Sequence, residues 1–283
     1  MPDTGLLQHL DYGTATTVNT TVGKAVSASL GKDSGLVHRQ GVGAQDAIVG
    51  GKLAPGGSAE FNIQAGTLIN YAIRSGTTTP ALTALTFAGG AVGDARQQTG
   101  CKLNTLGLSC SIGEPLNASI SWLALTDAAY TAAAIAYEAG ITFEWFTGVV
   151  TVGGTAWNTT SFGIDLNNNL EHLYYMDSAP TNSMRFPKAI KIGSSSLTVR
   201  CDMLTRPGST MHTDIFGDTL AQNTSAVFVL KGGTSGTQTL TLTCSNLARK
   251  SFTIPIVVGG ALVGYSMDFE AVMDTAHFTA VVS

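Results

Sequence analysis

Carboxylates and histidines are the side chains of this 283-residue sequence whose chemistry could support catalysis. Asp268 and Glu270 stand two residues apart in an alternating segment, so on a strand both carboxylates lie on one face as direct neighbours. A glycosidase holds its sugar between two carboxyl groups, and these two leave no room for one. The five histidines are scattered, and no Gly-x-Ser-x-Gly turn accompanies them. The sequence therefore predicts no catalytic residues and a protein that is not an enzyme.

Metal and cofactor motifs are equally weak. The acidic segment 165–171 lacks the central glycine and the final glutamate of a calcium-binding loop. The glycines between residues 89 and 93 do not match the phosphate-binding pattern Gly-x-Gly-x-x-Gly. No two cysteines have the Cys-x-x-Cys spacing of a zinc or redox site. We predict no metal and no cofactor, and free core thiols at Cys101, Cys110, Cys201 and Cys244.

The charge content indicates a chain that does not bind nucleic acid tightly. Charged residues make up 12% of the sequence, about half of the usual share of roughly 25%, and the formal net charge is −4. No run of basic residues is present, whereas phosphate binding needs clustered Lys and Arg. Thr, Ser, Gly and Asn take the place of charged residues, and a surface of this kind resists aggregation less well than a charged one. The composition therefore favours a protein whose surface is largely covered by neighbouring subunits.

Membrane and export signals are also missing from the sequence. The most apolar stretch, 252–265, is too short for a membrane helix and is interrupted by Pro255, Gly259 and Gly260. The first residues include Asp3 and Asp11 and lack the charged-then-apolar order of a signal peptide. We expect no membrane association and no export.

Alternation of polar and apolar residues predicts that most of the chain is strand. Residues 101–124 have the pattern of a hairpin that turns at Gly113–Pro115, with Leu106, Leu108, Cys110 and Ile112 on one face. About ten strands in all indicate an all-β sandwich or barrel with minor α content. The predicted strands after the hairpin are Thr142–Thr147, Val149–Val152, Thr160–Asn167, Ser195–Met203, Ala226–Leu230, Gln238–Cys244, Ser251–Val258, Ala261–Val272 and His277–Val282.

One or two helices are predicted to flank this sheet. Leu68, Ile69, Ala72 and Ile73 have helical spacing and follow a short predicted strand, Ala59–Ile63. The alanine-rich segment 127–138 predicts a second helix, with Asp127 as its N-cap.

The remaining segments are predicted to be irregular. Residues 77–99 are interpreted as a long, weakly charged loop. Residues 1–50 lack clear periodicity and are interpreted as an N-terminal arm with one strand near Gly35–Val42, which leaves 51–283 as the folded domain.

Four segments in the sequence are informative when taken in order. They are GGSAEFNIQAGTLINYAIRSG (56–76), GCKLNTLGLSCSIG (100–113), TAWNTTSFGIDLNNNLEHLYYM (155–176) and TLTLTCSNLARKSFTIPIVVGGALVGYSMDFEAVMD (239–274). The third is the most specific, because a Ser-Phe pair and an alternating strand lead into Asn167–Asn168–Asn169–Leu170–Glu171. Together these segments resemble the phage tail tube family of long-tailed, mostly non-contractile phages.

The resemblance implies a β-sandwich subunit, flanked by helix, that forms rings. Six subunits would make a ring whose inner sheets join into one barrel, and rings would stack into a conduit for DNA ejection. The implied partners are further copies of the chain, the tape-measure protein, the tail tip or baseplate and the tail terminator, with double-stranded DNA passing non-specifically. The implied location is the virion tail, after assembly in the host bacterial cytoplasm.

Acidic residues on the predicted strands are the candidate lining of that conduit. In Ala261–Val272, alternation places Ser266, Asp268 and Glu270 opposite the core positions, and Asp165 and Asp202 alternate with apolar neighbours in the same way. Carboxylates on a bore wall would repel phosphate, so DNA would find no resting site. Alternation does not indicate which solvent-facing side of the sheet lines the bore. The alternative is that these acids lie on the outer surface of the tube.

A second function class fits the same composition. An extracellular or fibre β-sandwich that binds carbohydrate is also rich in Thr and Gly, but it should carry a signal peptide or clustered exposed aromatics in a loop. The sequence has neither feature, so the tail tube interpretation is preferred.

Overall fold

The fold is almost entirely β. The computed structural model describes residues 9–14, 18, 20–21, 24–33, 37–40, 46–49, 51–64, 66–74, 81–90, 95–131, 141–175, 185–203, 224–233, 237–253, 265–273 and 278–283. Within them lie one short helix, α1 (Thr67–Ala72), and twenty strands. The strands are β1 (His9–Gly13), β2 (Thr20–Thr21), β3 (Lys24–Asp33), β4 (Val37–Gln40), β5 (Asp46–Val49), β6 (Ala54–Asn62), β7 (Leu85–Gly90), β8 (Ala95–Ser111), β9 (Asn117–Leu123), β10 (Thr126–Tyr130), β11 (Ile141–Val152), β12 (Thr155–Trp157), β13 (Thr159–Asn167), β14 (Leu170–Leu173), β15 (Ala189–Ile192), β16 (Ser195–Met203), β17 (Thr224–Gly233), β18 (Gln238–Thr253), β19 (Tyr265–Met273) and β20 (Phe278–Val282).

The strand pairing repeats after ten strands. In the first half of the chain the antiparallel pairs are β1–β2, β1–β7, β7–β8, β8–β9, β8–β10, β6–β9, β3–β6 and β4–β5. Each pair recurs in the second half with both strand numbers raised by ten. Among the described strands, one pair, β8–β13, joins the halves. The chain is two copies of one topology, which we name the first repeat (β1–β10) and the second repeat (β11–β20).

Irregularities in register recur at the same places in the two repeats. The β3–β6 ladder shifts between Ala25 and Ser27, and the β13–β16 ladder shifts between Thr159 and Ser161. The β8–β9 and β18–β19 ladders also shift at matching places, as do β7–β8 and β17–β18. A bulge bends a strand and is a specific feature of a fold, so shared bulges support the equivalence of the repeats beyond strand order alone.

The repeats share one central sheet and have separate outer sheets. The central sheet has the order β3-β6-β9-β8-β13-β16-β19-β18 and uses the C-terminal parts of the long strands β8 and β18. The N-terminal parts of these two strands belong instead to the outer sheets, ordered β10-β8-β7-β1-β2 and β20-β18-β17-β11-β12. The two long strands therefore tie the layers of each repeat together.

The hydrophobic core lies between the central sheet and the outer sheets. In the first repeat the ring of Trp122 on β9 stacks on that of Phe87 on β7, with centroids 4.2 Å apart. In the second repeat Phe162 on β13 lies 4.5 Å from Phe228 on β17. All four rings are buried, so each repeat has an aromatic contact that joins its layers.

The predicted fold class, all-β with minor α content, is confirmed. Helix α1 lies in the segment predicted as helix and buries Leu68, Ile69 and Ala72, while Ile73 is its C-cap. The hairpin that turns at Gly113–Pro115 is β8–β9, but Ile112, predicted on its core face, is 56% exposed because β8 ends at Ser111. The cysteines are free and buried, as predicted, and burial raises the pKa of the Cys101, Cys110 and Cys201 thiols to about 12. Within the described residues no helix is long and apolar enough to cross a membrane.

The predicted second helix is wrong at its start. Residues 126–130 form β10, and residues 132–138 lie outside the described residues. Asp127 does not cap a helix, because its carboxylate accepts a 2.7 Å hydrogen bond from Arg96 Nε on β8. Pairing with β8 and this ion pair, in which the Asp127 side chain is buried and that of Arg96 is 36% exposed, outweigh the helix propensity of alanine, which is small per residue.

The predicted loop over 77–99 is also wrong where the structure describes it. Residues 85–90 form β7, and β8 begins at Ala95. Five of the six residues of β7 are buried, so the strand has no polar and apolar alternation to reveal it.

Residues 1–50 contain more strand than predicted. β4 lies at the expected strand near Gly35–Val42, but β1 pairs with β7 and β3 pairs with β6. The boundary at residue 50 stays a prediction.

Candidate functional site

One side of the central sheet, which we name the polar face, carries hydroxyl, carboxylate, amide and glycine residues. Its residues are aligned in rows that cross the strands. One row is Ser27, Glu60, Ser119, Gly107, Asp165, Thr198, Glu270 and Ala248. A second row is Lys24, Asn62, Asn117, Ser109, Gly163, Arg200, Asp268 and Ser251. The polar face is thus continuous across both repeats.

All five candidate lining residues lie on the polar face. Their strand neighbours, such as Ile164, Cys201 and Met267, are buried in the core. Because strand side chains alternate, register fixes the polar set on one side. The register places Asp202 opposite Ser266 and Arg200 opposite Asp268. The candidate residues are Asp165 on β13, Asp202 on β16, and Ser266, Asp268 and Glu270 on β19.

Asp202 is the most completely bonded of these acids. Its Oδ2 accepts a 2.6 Å hydrogen bond from Ser161 Oγ, and its Oδ1 lies 3.3 Å from Arg200 Nε. Burial by itself would raise the pKa of Asp202, but hydrogen bonds from Ser161 and Ser266 and the charge of Arg200 outweigh burial. The pKa of Asp202 is therefore below its ordinary value, and the carboxylate is held ionised.

The two acids of β19 take partners from β18. Lys250 Nζ lies 2.8 Å from Glu270 Oε2, and Ser251 Oγ donates a 2.6 Å hydrogen bond to Asp268 Oδ2. The hydrogen bond and charge of Glu270 raise the pKa of Lys250. Both contacts are largely exposed, so they orient the side chains more than they stabilise the fold.

Asp165 lies at a depression in the half of the polar face that the second repeat forms. Thr198, Arg200, Ser251 and Asp268 also line this depression. Desolvation raises the pKa of Asp165. A Cβ added to Gly107, the cross-strand partner of Asp165, would lie 2.6 Å from Ser119 Oγ and 3.2 Å from Asp165 Oδ1. The row is therefore closely packed around Gly107.

Glu60 and Lys250 are charged residues of the polar face that were not predicted. Glu60 lies between the buried Ala59 and Phe61, so alternation in the predicted strand contained the signal for it. Lys250 follows the register shift in β18, where alternation is interrupted. No pattern in the sequence indicates which strands are neighbours, and this neighbourhood is what brings the acids together.

The asparagine run after β13 connects α1 and β8 of the first repeat with β16 of the second repeat. Asn168 is buried, and its Nδ2 donates to the carbonyl oxygens of Ala72 at 2.9 Å and Leu103 at 3.0 Å. Its Oδ1 accepts a 2.7 Å hydrogen bond from Ser195 Oγ. Both the nitrogen and the oxygen of the Asn168 amide therefore have hydrogen-bond partners, as a buried polar group requires. We name these contacts the asparagine clamp.

Arg74 extends the asparagine clamp. This residue is buried, and its Nη2 donates to the carbonyl oxygen of Asn168 at 3.2 Å and to that of Gly193. Desolvation lowers the pKa of Arg74. The residues after α1 are thereby attached to the loop between β13 and β14, across the junction of the two repeats.

The described residues contain no group of three or more His, Cys, Asp or Glu side chains that could hold a metal ion.

A family model described as phage tail tube protein matches residues 6–271. The chain belongs to the phage tail tube protein family. The asparagine clamp and the polar face therefore belong to a tail tube protein, which is a structural component of the phage tail.

Two further comparisons describe how far similarity to this tail tube protein extends. Among curated proteins, no sequence matches it. Among solved structures, the tube-terminating cap of the anti-feeding prophage, determined by cryo-EM, has 18% identity over 54% of this chain and 96% of that chain, with a TM-score of 0.37. A similarity of that size indicates nothing about how this protein assembles.

Proposed function

We propose that this tail tube protein forms rings with six positions, each occupied by one copy of the sandwich fold. The rings stack into a hollow tube, and the polar face lines the bore. The observation that carries the proposal is the polar face itself. One continuous sheet presents its core side to the outer sheets and leaves the other side covered with hydroxyls, amides and carboxylates. Such a wall is broad and solvated, and the two cross-strand rows of the polar face contain no cluster of basic residues.

The charges of the polar face support passage of DNA without binding. Phosphate is held when Lys and Arg neutralise it and release its counterions. On the polar face the guanidinium of Arg200 contacts Asp202 and the ammonium of Lys250 contacts Glu270, so these two bases are already paired with acids. A duplex in contact with this wall would meet net repulsion, which acts over a Debye length of about 8 Å at physiological salt.

The proposed partners follow from a tube of this kind. Copies of the chain pair within and between rings, the tape-measure protein occupies the bore before the DNA, and the tail tip or baseplate and the tail terminator close the two ends. Assembly takes place in the host cytoplasm, where the free buried thiols of this chain stay reduced. The role of the chain in this assembly is structural and involves no catalysis.

Thiol accessibility in assembled tubes tests the lining. Ser266→Cys places a thiol on the polar face, and Thr279→Cys places one on an exposed outer strand, β20. After labelling with biotin maleimide and assembly seeded with tail tips, streptavidin should bind tubes of the Thr279→Cys chain and fail to reach biotin on Ser266→Cys. Equal binding of streptavidin to both tubes would contradict a bore lined by the polar face, and electron microscopy of the same samples shows whether hollow tubes have formed.

A further inference from the structure

The two outermost strands of the central sheet each pair on one edge only among the described strands. β3 pairs with β6, and residues 248–253 of β18 pair with β19. The other edge of each strand presents backbone donors and acceptors, which are a template for a further strand. The sheet of one chain therefore ends in two edges that another chain can extend.

These two edge strands are the repeat counterparts of the two strands that join in the middle of the sheet. β3 occupies in the first repeat the place of β13 in the second, and β18 occupies the place of β8. β8 and β13 pair directly over seven residue pairs, from Ser161–Ser111 to Asn167–Thr105. The edges of the chain thus carry the same two types of strand that the chain already joins internally.

We propose that β18 of one chain pairs with β3 of the next chain in a copy of the β8–β13 junction, so that each chain fills two adjacent positions of the ring. The inference rests on the proposed ring. Six positions filled two at a time require three chains, in place of the six subunits that the family resemblance by itself implies. The ring then alternates between a junction within a chain and a junction between chains, both antiparallel.

The register of the junction between chains follows from the matching bulges. Ser27 corresponds to Ser161 because each follows the shift in its ladder, so Gly31 corresponds to Asp165 four residues later. Thr105 and Ser251 likewise follow matching shifts, so Gly107 corresponds to Thr253. Asp165 pairs with Gly107 in the internal junction. In the junction between chains, Gly31 of one chain should therefore pair with Thr253 of the next.

A second route through the sheet gives the same correspondence for β18. Across the first repeat the row from Ser27 runs through Glu60 and Ser119 to Gly107. Across the second repeat the row from Ser161 runs through Asp202 and Ser266 to Thr253. Both rows take the same steps through equivalent strands, so Gly107 and Thr253 correspond by a path that does not use the bulges of β8 and β18.

Gly31 is a suitable position for a chemical test of this register. A Cβ added to Gly31 would have no atom within 4 Å, so a larger residue fits there without a clash. Directly opposite residues of antiparallel strands have Cβ atoms about 4.5–5.5 Å apart, close to the spacing that a disulfide spans. The natural cysteines are buried and free, so a disulfide between introduced cysteines would be specific.

The test is oxidative cross-linking of assembled tubes made from the full chain with Gly31→Cys and Thr253→Cys. Denaturing, non-reducing electrophoresis should show covalent dimers and trimers, with nothing larger, because a closed ring of three chains ends the series. A matched variant, Lys32→Cys with Thr253→Cys, is out of register by one residue and on the opposite face, and it should cross-link at least about tenfold more slowly. Reduction should return both variants to single chains.

Cryo-EM of wild-type tubes supplies a second measurement that needs no variant, and it should show three-fold rotational symmetry with β3 and β18 of adjacent chains in contact. Absence of cross-links in tubes that form, equal cross-linking of the two variants, or a covalent series that continues to six chains would each overturn the inference. These results differ from failure of the proposed function, in which streptavidin reaches the polar face or no hollow tube forms.

Discussion

Asn168 donates a hydrogen bond from Nδ2 to the carbonyl oxygen of Ala72 at 2.9 Å, which attaches the junction of the two repeats to the end of α1. The same nitrogen donates to Leu103 on β8. A side chain at the position where the repeats meet therefore has a structural role that depends on its amide donors.

Asn168→Asp tests this role, because it keeps the shape of the side chain and removes both donors. Two buried carbonyls lose their partner and a carboxylate is placed in the core, so we expect a loss of about 2–4 kcal/mol in the free energy of unfolding. Asn167→Asp is the matched control, since Oδ1 of Asn167 accepts a hydrogen bond from the backbone N–H of Asn169 and an aspartate retains that oxygen. Urea unfolding of both variants decides the matter, and an equal loss in the two would contradict the asparagine clamp.

Trp122→Phe tests the contact between layers in the first repeat. Trp122 Nε1 donates a 2.8 Å hydrogen bond to Oε1 of Gln98, which is fully buried, and the indole stacks on Phe87. The variant leaves the buried Oε1 without that donor, so thermal unfolding should indicate a loss of about 1–3 kcal/mol. Trp157→Phe is the control, because Trp157 is only partly buried at the edge strand β12 and should lose less. A larger loss at Trp157 would contradict this assignment.

The polar face should give two acids with opposite effects of pH on stability. The pKa of Asp202 is lowered in the folded protein, so Asp202 contributes stability above its unfolded pKa of about 3.9, and this contribution disappears as pH falls through its folded pKa. The pKa of Asp165 is raised, so its ionised form destabilises the fold at neutral pH and the penalty is relieved as pH falls.

Unfolding by urea from pH 3 to pH 7 measures both contributions. At pH 7, Asp202→Asn should be less stable than the wild type and Asp165→Asn slightly more stable, and the two differences should shrink toward pH 3. Both side chains are partly exposed, so solvent screening keeps the effects small. An Asp202→Asn chain more stable than the wild type at pH 7 would show that burial, rather than the bonds from Ser161 and Ser266, dominates at this site.

Reversal of charge on β19 tests the effect of the polar face on DNA. Tubes that carry Asp268→Lys and Glu270→Lys should retain a short labelled duplex on co-sedimentation, because lysines in the bore bind phosphate, and retention should weaken as salt rises. Glu171→Lys is the control, since Glu171 lies on β14, outside the central sheet. Equal retention by the control tubes, or none by the double variant, would contradict the proposed lining.

The acids of β19 and the helix α1 were predictable because each depends on a local period. Asp268 and Glu270 share a face at a spacing of two, and Leu68, Ile69 and Ala72 share a face at helical spacing. Asp127 was not predictable, since its partner, Arg96, lies on another strand 31 residues earlier.

The duplication of the fold was not predictable from residue identities. Gly31 and Asp165 occupy equivalent places, and so do Gly107 and Thr253, yet neither pair shares a residue type. A strand position constrains which side is buried and how the ladder bends, while the polar face tolerates many small or polar residues. The repeat is therefore preserved in pairing and bulges, which a single sequence does not display.

The most direct test of the central claim is a cryo-EM reconstruction of the assembled tube at side-chain resolution. The account predicts that Asp165, Asp202, Ser266, Asp268 and Glu270 all face the bore, with the outer sheets on the outside of the tube. A tube in which these five residues face outward, and the outer sheets line the bore, would contradict it.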